Sequence, residues 1–175
     1  MPCYLREVTK DDIPEINKWR NDREVIQYLG APFRFINKET DESWFVLYNG
    51  SRQNAVRLAI VDSEGNALVG AVYLTSIDWI ARSGEFSIWV GRKDYQSRGV
   101  GKFATVNMLS HAFHDLGLNR VHLTVLSINE RARRLYRSVG FSEEGVHRQS
   151  VYKNGNFHDM IQMGILASEF SGFVE

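Results

Sequence analysis

The chain has 175 residues, in which 21 Lys and Arg are balanced by 21 Asp and Glu. This net charge of zero argues against general nucleic-acid affinity, because that affinity requires the neutralisation of phosphates. Cys3 is the single cysteine, so no disulfide framework exists, and no apolar run approaches the length that spans a membrane. We expect residues 1–175 to form one cytoplasmic domain, without a nucleic-acid, membrane or metal partner.

Strands and helices alternate along the first half of the chain. The predicted elements are a strand at residues 3–8, a helix capped by Thr9 or Asp11 and ending near Lys18, helices near 22–28 and 39–50, and strands at 57–62, 67–78 and 84–90. A turn at Ser63-Glu64-Gly65-Asn66 separates the first two strands of the last group.

The second half continues the alternation. The predicted elements are a helix from about Lys102 to Leu116, a strand at 121–126, a short helix from Asn129 to Gly140, and strands at 141–152 and 157–166. The last two strands flank Asn154-Gly155, and Asn-Gly is the strongest short hairpin signal. This order predicts a mixed α/β (α+β) sheet with helices on its faces. Phe170 and Phe173 indicate either a docking tail or a loose C-terminal end.

The loop before the helix at Lys102 is the most informative segment. Gly99 and Gly101 let an anion approach the backbone, and Arg98 and Lys102 add positive charge. A helix N-terminus presents unpaired N–H groups and the positive end of the helix dipole. The segment therefore predicts a cradle for a pyrophosphate group.

Two common phosphate loops do not fit this segment. A Walker loop requires a glycine where Gln96 stands and a Ser or Thr where Phe103 stands. A dinucleotide fingerprint requires its first glycine directly after a strand, but eight residues separate Val90 from Gly99. It also requires an acid at the end of the next strand, which ends instead in Ser127-Ile128-Asn129.

A second motif follows about thirty residues downstream. Asn129 is a good N-cap, Gly140 suits a helix C-terminus, and Phe141 begins the next strand. Together the two segments resemble the GNAT superfamily of acyl-CoA N-acyltransferases, with its Q/R-x-x-G-x-G/A loop and its N-x-x-A-x-x-L-Y-x-x-x-G-F helix. The helix containing Trp19-Arg20-Asn21-Asp22 and the Asn154-Gly155 hairpin are similar to the branch that holds ribosomal-protein, spermidine and amino-sugar N-acetyltransferases.

The resemblance implies a GNAT-like fold, with a mostly antiparallel central sheet and a V-shaped splay between two central strands. It implies acetyl-CoA as co-substrate, no metal, and direct attack by a primary amine in a ternary complex. The amine would belong to a polyamine, an amino sugar or a protein N-terminus. The residues that the resemblance assigns to acetyl-CoA are Trp89, Val90, Gln96, Ser97, Arg98, Gly99, Val100, Gly101 and Asn129.

The resemblance also assigns two catalytic residues. Tyr136 is the candidate general acid, and it follows Asn129 by about two helical turns, so both face the same side. A phenol with a pKa near 10 protonates a thiolate whose thiol pKa is about 8.5 only late in the reaction, or when its site tunes it. Glu85 is the candidate base and shares a strand face with Ser87 and Trp89. A plain surface carboxylate is an equally good interpretation of Glu85.

The amine itself is not specified by the sequence. In this branch the segments that wall the acceptor site contain Trp19, Arg20, Asp22, Trp44 and Trp79. Gly30-Ala31-Pro32-Phe33 stands where spermidine-specific relatives carry an acidic run, and this argues against polyamine specificity. A non-catalytic acyl-CoA sensor and a nucleotide-binding module that uses the same loop remain alternatives, and a homodimer is left open.

Contact with the 3′-phosphate of CoA would involve one or two of Arg131, Arg133, Arg134 and Arg137, and the others would be solvated.

Overall fold

A seven-stranded sheet forms the centre of the molecule in the computed structural model, which describes residues 3–172. Its strands lie in the order β1-β2-β3-β4-β5-β7-β6. The strands are β1 (Cys3–Glu7), β2 (Val56–Asp62), β3 (Leu68–Asp78), β4 (Ser83–Val90), β5 (Arg120–Leu126), β6 (Ser142–Lys153) and β7 (Asn156–Leu166). Neighbours are antiparallel except for β4 and β5, which are parallel, so the predicted mixed and mostly antiparallel sheet is confirmed.

The helices are α1 (Ile13–Arg20), α2 (Arg23–Ile26), α3 (Lys38–Gly50), α4 (Val100–Ser110) and α5 (Glu130–Val139). The first helix begins later than predicted, because Lys10–Asp12 forms a 3₁₀ turn in which the Asp12 carboxylate accepts the N–H of Thr9 at 2.7 Å. The fourth begins earlier than predicted, at Val100, because Gly99 is its N-cap. It ends at Ser110, and His111–Asp115 continues it as a π-helical turn.

Two apolar layers cover the sheet, one on each face. On one face α1, α2 and α3 pack against β2 and β4, and the buried residues of this layer are Val8, Ile13, Ile16, Trp19, Val25, Ala59 and Val61. On the other face α4 and α5 pack against β3, β4, β5 and β7, and this larger layer includes Val72, Leu74, Phe86, Met108, Leu123 and Tyr136. The alternation of side chains along each strand separates the two layers.

The β6–β7 hairpin has the predicted turn. Asn154 and Gly155 have φ values of 51° and 81°, as a type I′ turn requires. Phe170, expected in a docking tail or a loose end, packs instead on Phe113 with ring centroids 5.4 Å apart. Phe173 lies outside the described residues.

The centre of the sheet opens between β4 and β5. The two strands pair only at Ser83–Arg120, Gly84–Val121 and Glu85–His122. Beyond Glu85, β4 continues to pair with β3, while β5 continues to pair with β7. The predicted V-shaped splay is therefore confirmed, and it leaves one side of residues 86–90 without a neighbouring strand.

Candidate active site

Backbone groups of β4 point into the splay. The N–H of Gly91 donates to the carbonyl of Val69 in β3 at 3.0 Å. Because backbone groups alternate sides along an antiparallel strand, those of Ile88 and Val90 face the opening. The carbonyl of Val90 accepts from the side-chain amide of Gln96 at 3.1 Å, in agreement with this alternation. Trp89, expected to offer backbone contacts beside Val90, instead turns its backbone toward β3.

The loop after β4 has the geometry of an anion cradle. A 3₁₀ turn at Lys93–Tyr95 leads into the loop, and Ser97 and Gly99 then adopt left-handed φ values of 61° and 84°. Such changes of hand turn successive N–H groups toward one side. Helix α4 begins immediately afterwards, and its first N–H groups have no acceptor within the helix. The loop therefore directs backbone donors and a helix N-terminus toward the end of the splay.

Helix α5 lies against this loop. A Cβ atom at Gly101 would lie 3.0 Å from Leu135 Cδ1, so the glycine permits the close approach of the two helices. The guanidinium of Arg131 lies 3.3 Å from Ser97 Oγ and 3.4 Å from Gln96 Oε1. Arg133 and Arg137 pair instead with Glu143, away from the loop. Arg131 is thus a basic residue of α5 that the fold places beside the cradle.

A cavity of about 1140 Å³ extends from the loop through the splay to the α1 face of the sheet. Seven of the predicted site residues line it, namely Glu85, Trp89, Val90, Gln96, Gly101, Asn129 and Tyr136. The other predicted loop residues are not part of its wall, namely Ser97, Arg98, Gly99 and Val100. These loop residues can reach a ligand only where it leaves the cavity along the loop.

Tyr136 lies on the α4 face of the sheet beside the opening. Its side chain is 7% exposed, and its ring centroid lies 6.1 Å from that of Phe86 and 5.7 Å from that of Phe141. Burial raises the pKa of the phenol, which therefore stays protonated at neutral pH. Apolar packing therefore holds the protonated phenol of Tyr136 at the wall of the cavity.

Glu85 approaches the cavity from the other face. It pairs with Thr75 of β3, and the neighbouring Phe86 points into the α4 layer. Strand alternation therefore places the Glu85 side chain on the face that carries α1 and α3. The side chains of Tyr136 and Glu85 therefore lie on opposite faces of the sheet beside β4. The splay connects the parts of the cavity that the two residues line.

Residues 26–31, which include Gly30 and Ala31 of the segment that departs from the spermidine-specific relatives, form one wall of the cavity. Asn129 donates from Nδ2 to the carbonyl of Tyr28 at 3.0 Å, and its Oδ1 accepts the N–H of Ala132. Lys153 is 6% exposed and donates to three carbonyls of this wall, those of Ile26, Leu29 and Ala31. The side chain of Asn129, predicted to contact acetyl-CoA, is therefore engaged in holding this wall.

The residues expected around the amine are divided by the structure. Arg20 and Trp44 line the cavity. Trp19 is buried and is not part of the cavity lining, and its ring lies edge-on to Trp89 at 5.8 Å. Asp22 caps α2 by accepting the N–H of Glu24 at 2.8 Å. Trp79 lies elsewhere, half-exposed, and donates to the carbonyl of Gln53.

Sequence reasoning pointed to Gly30 and Ala31 but missed several other lining residues on this side, namely Ile26–Leu29, Arg57, Tyr73, Lys93 and Met160. Arg57 had a visible signal, because it is the single basic residue in the otherwise apolar first half of strand β2. The others depend on tertiary contacts that no local pattern reveals.

No group of three or more His, Cys, Asp or Glu side chains within residues 3–172 is arranged to hold a metal ion. His111 and His114, which are spaced like a ligand pair, contact Asp115 and Ser110 respectively. None of the helices within these residues is both long enough and apolar enough to cross a membrane.

Comparison with known proteins identifies the family. Residues 3–142 match the model of the acetyltransferase (GNAT) domain. A spermidine N(1)-acetyltransferase of Vibrio cholerae is 31% identical over 168 residues, which cover 95% of this chain and 94% of the relative. A putative ribosomal N-acetyltransferase of Bacillus subtilis is 32% identical over 106 residues, which cover 61% of this chain and 57% of the relative.

Solved structures agree with these matches. The crystal structure of the Vibrio cholerae spermidine N-acetyltransferase in complex with CoA and spermine superposes with a TM-score of 0.90 at 26% identity. The superposition covers 97% of this chain and 98% of that chain. The chain therefore belongs to the GNAT family: it is an N-acetyltransferase, and its co-substrate is acetyl-CoA.

Proposed function

We propose that the protein transfers the acetyl group of acetyl-CoA directly to a small primary amine within a ternary complex. The observation that carries this proposal is the continuous cavity, with the phosphate loop at one end, Tyr136 on one face of β4 and Glu85 on the other. Two substrates can enter from opposite sides of the sheet and meet in the splay. Polyamines, amino sugars and peptide N-termini are the acceptor classes to test.

The backbone of the splay and the loop would bind the co-substrate. The loop amides and the N-terminus of α4 suit the diphosphate, with Arg131 as an additional cation. The backbone groups of Ile88 and Val90 suit the amide groups of the pantetheine arm, because both point into the opening. An N–H in this position also donates to the thioester oxygen, where negative charge develops during attack.

Proton transfers can then be assigned to the two candidate residues. The amine nitrogen attacks the thioester carbon, and its excess proton leaves to Glu85, through water where the two do not touch. The C–S bond breaks, and the sulfur takes the proton of Tyr136, which is afterwards restored from solvent. Burial raises the pKa of the Tyr136 phenol and makes it a weaker acid, so the phenol donates its proton late, when negative charge has developed on the departing sulfur in the same apolar surroundings.

Direct attack is favoured over an acetyl-cysteine intermediate by the position of the thiol. Cys3 is the single cysteine of the chain, and it lies in the edge strand β1, outside the cavity wall. We therefore expect both substrates to be bound before the acetyl group moves.

The test is steady-state kinetics with acetyl-CoA and a panel of primary amines, in which release of free CoA thiol and the mass of the product are measured. Intersecting lines in double-reciprocal plots would support a ternary complex. Parallel lines, or an acetylated protein isolated without acceptor, would contradict it. If no amine of the panel is acetylated while acetyl-CoA still stabilises the protein, the assignment to small amines is wrong.

A further inference from the structure

Arg57 lies among aromatic rings on the amine side of the cavity. Its guanidinium carbon lies 4.8 Å from the centroid of Tyr73, 5.0 Å from that of Trp44 and 5.4 Å from that of Tyr48. Its Nε is buried and has no hydrogen-bond acceptor among the described residues. Three rings thus surround the guanidinium, while its Nε–H has no acceptor among the described residues.

The other cations of the cavity on this side have carboxylate partners. Arg20 pairs with the fully buried Asp41, and Lys93 pairs with Asp22 and Glu24. Arg57 has no ion pair within residues 3–172, and burial lowers its pKa with no carboxylate to offset that effect. It is therefore a positive charge that the protein itself leaves without a counter-ion.

Such a charge is costly unless something compensates it. A guanidinium that is partly withdrawn from water loses hydration, and cation–π contacts return only part of that loss. A buried donor without an acceptor adds a further cost. A ligand oxyanion would supply both the missing charge and the missing acceptors, and guanidinium groups bind oxyanions through paired hydrogen bonds.

The position of Arg57 relates it to the reaction centre. Arg57 pairs with Tyr73 in β3, and Tyr73 pairs with Ser87 in β4, so the three side chains lie in one row on the same face. Glu85 lies on that face as well, and all four residues line the cavity. Two strand spacings separate β2 from β4, a distance of ~10 Å between backbones. The long side chain of Arg57, stacked on Tyr73, covers part of that distance.

We propose that the acceptor of this enzyme is a compact primary amine that also carries an oxyanion, and that Arg57 binds this oxyanion while the amine faces the splay. The inference rests on the proposed function and refines its substrate class. Arg57 would then select against simple polyamines, which carry only positive charge. The guanidinium is planar by delocalisation, and the three aromatic rings restrict where it lies.

Matched acceptor pairs test the proposal and distinguish a carboxylate from a phosphate. Ornithine differs from putrescine by a carboxylate, and glucosamine 6-phosphate differs from glucosamine by a phosphate. We expect at least a tenfold higher kcat/KM for the oxyanion-bearing member of at least one pair. The pair that shows the preference identifies the anion. A wild-type enzyme that prefers putrescine and glucosamine would overturn the proposal.

Substitution of Arg57 supplies the second arm. Arg57→Gln should bring the ratio within the preferred pair close to one, through a loss of about tenfold or more in kcat/KM for the oxyanion-bearing member. Arg57→Lys, which keeps the charge but loses the paired donors, should retain only part of the preference. Arg52→Gln is the matched control, since Arg52 stacks on Tyr48 but lies outside the cavity wall. It should leave the ratio unchanged.

The outcomes separate the two proposals. If Arg57→Gln lowers kcat/KM equally for both members of a pair, Arg57 has only a structural role and the inference is wrong. If spermidine is acetylated efficiently by both the wild type and Arg57→Gln, the inference fails while the proposed function stands. If no amine is acetylated by a protein that still binds acetyl-CoA, both fail. Thermal unfolding of each variant with acetyl-CoA confirms that it is folded.

Discussion

Tyr136→Phe is the substitution that isolates the proposed proton donor. It removes one hydroxyl group and keeps the ring, together with its contacts to Phe86 in β4 and to Phe141 directly before β6. Burial is the cause that raises the pKa of this phenol, and neither a carboxylate nor a basic side chain contributes to the shift. The loss of the hydroxyl should therefore change the free energy of unfolding by less than about 1 kcal/mol.

The effect on turnover should be much larger. A positioned general acid contributes roughly 10²–10⁴ to the rate, which corresponds to about 3–5 kcal/mol at 1.36 kcal/mol for each factor of ten. The KM for acetyl-CoA should change by less than about twofold, because the phenol acts on the leaving sulfur and not on the diphosphate. The predicted pattern is thus a loss of kcat without a loss of stability or co-substrate binding.

Single-turnover measurements test the role of Tyr136, because slow product release in steady state would hide a change in the rate of acetyl transfer. Free CoA thiol is followed after rapid mixing of the wild type or the variant with saturating acetyl-CoA and amine. Denaturant unfolding is measured in parallel. A decrease of less than about tenfold in the single-turnover rate would refute the role of Tyr136 as general acid.

Three further predictions concern the loop, the wall and the pH dependence. Arg131→Ala should raise the KM for acetyl-CoA about tenfold, because one charge-assisted contact is lost. Arg137→Ala is the control in the same assay: it loses only an exposed ion pair with Glu143 and should change this KM less than about twofold. Lys153→Met should lower the free energy of unfolding by about 2–4 kcal/mol, because three carbonyls of the wall at residues 26–31 lose their donor. The same loss should raise the KM for the acceptor. Urea unfolding measures the first effect and steady-state kinetics the second. Burial raises the pKa of Tyr73 to about 12, whereas the pKa in the unfolded chain is about 10. The contribution of Tyr73 to the free energy of unfolding should therefore be complete below about pH 10 and be lost as the pH rises toward 12. Tyr73→Phe should flatten this decline, and an unchanged decline in the variant would contradict the prediction.

Local sequence patterns predicted most of the frame of the site. Gly99 precedes α4 in a left-handed conformation, as expected for a glycine at that point of the loop. Asn129 caps α5, and Gly140 ends it with φ of 111°. These residues act within a few positions of the chain, and their conformational preferences are local. The splay between β4 and β5 followed from the resemblance to a family and not from any pattern in either strand.

The amine side was less predictable because its contacts are distant in sequence. Lys153 reaches carbonyls more than 120 positions away, and Asn129 reaches Tyr28 across 101 positions. Trp79 was expected at the acceptor site, but its indole N–H donates to the carbonyl of Gln53 outside the cavity. Tertiary packing decides which aromatic and charged residues face a ligand, and composition alone does not.

The central claim is that the amides of residues 96–101 bind the diphosphate of acetyl-CoA and thereby direct the thioester into the splay. A crystal structure with CoA tests it most directly. We expect the diphosphate within hydrogen-bond distance of these amides, and the sulfur between β4 and β5 beside Tyr136. A structure with CoA bound elsewhere, and this loop closed over by its own side chains, would contradict the claim.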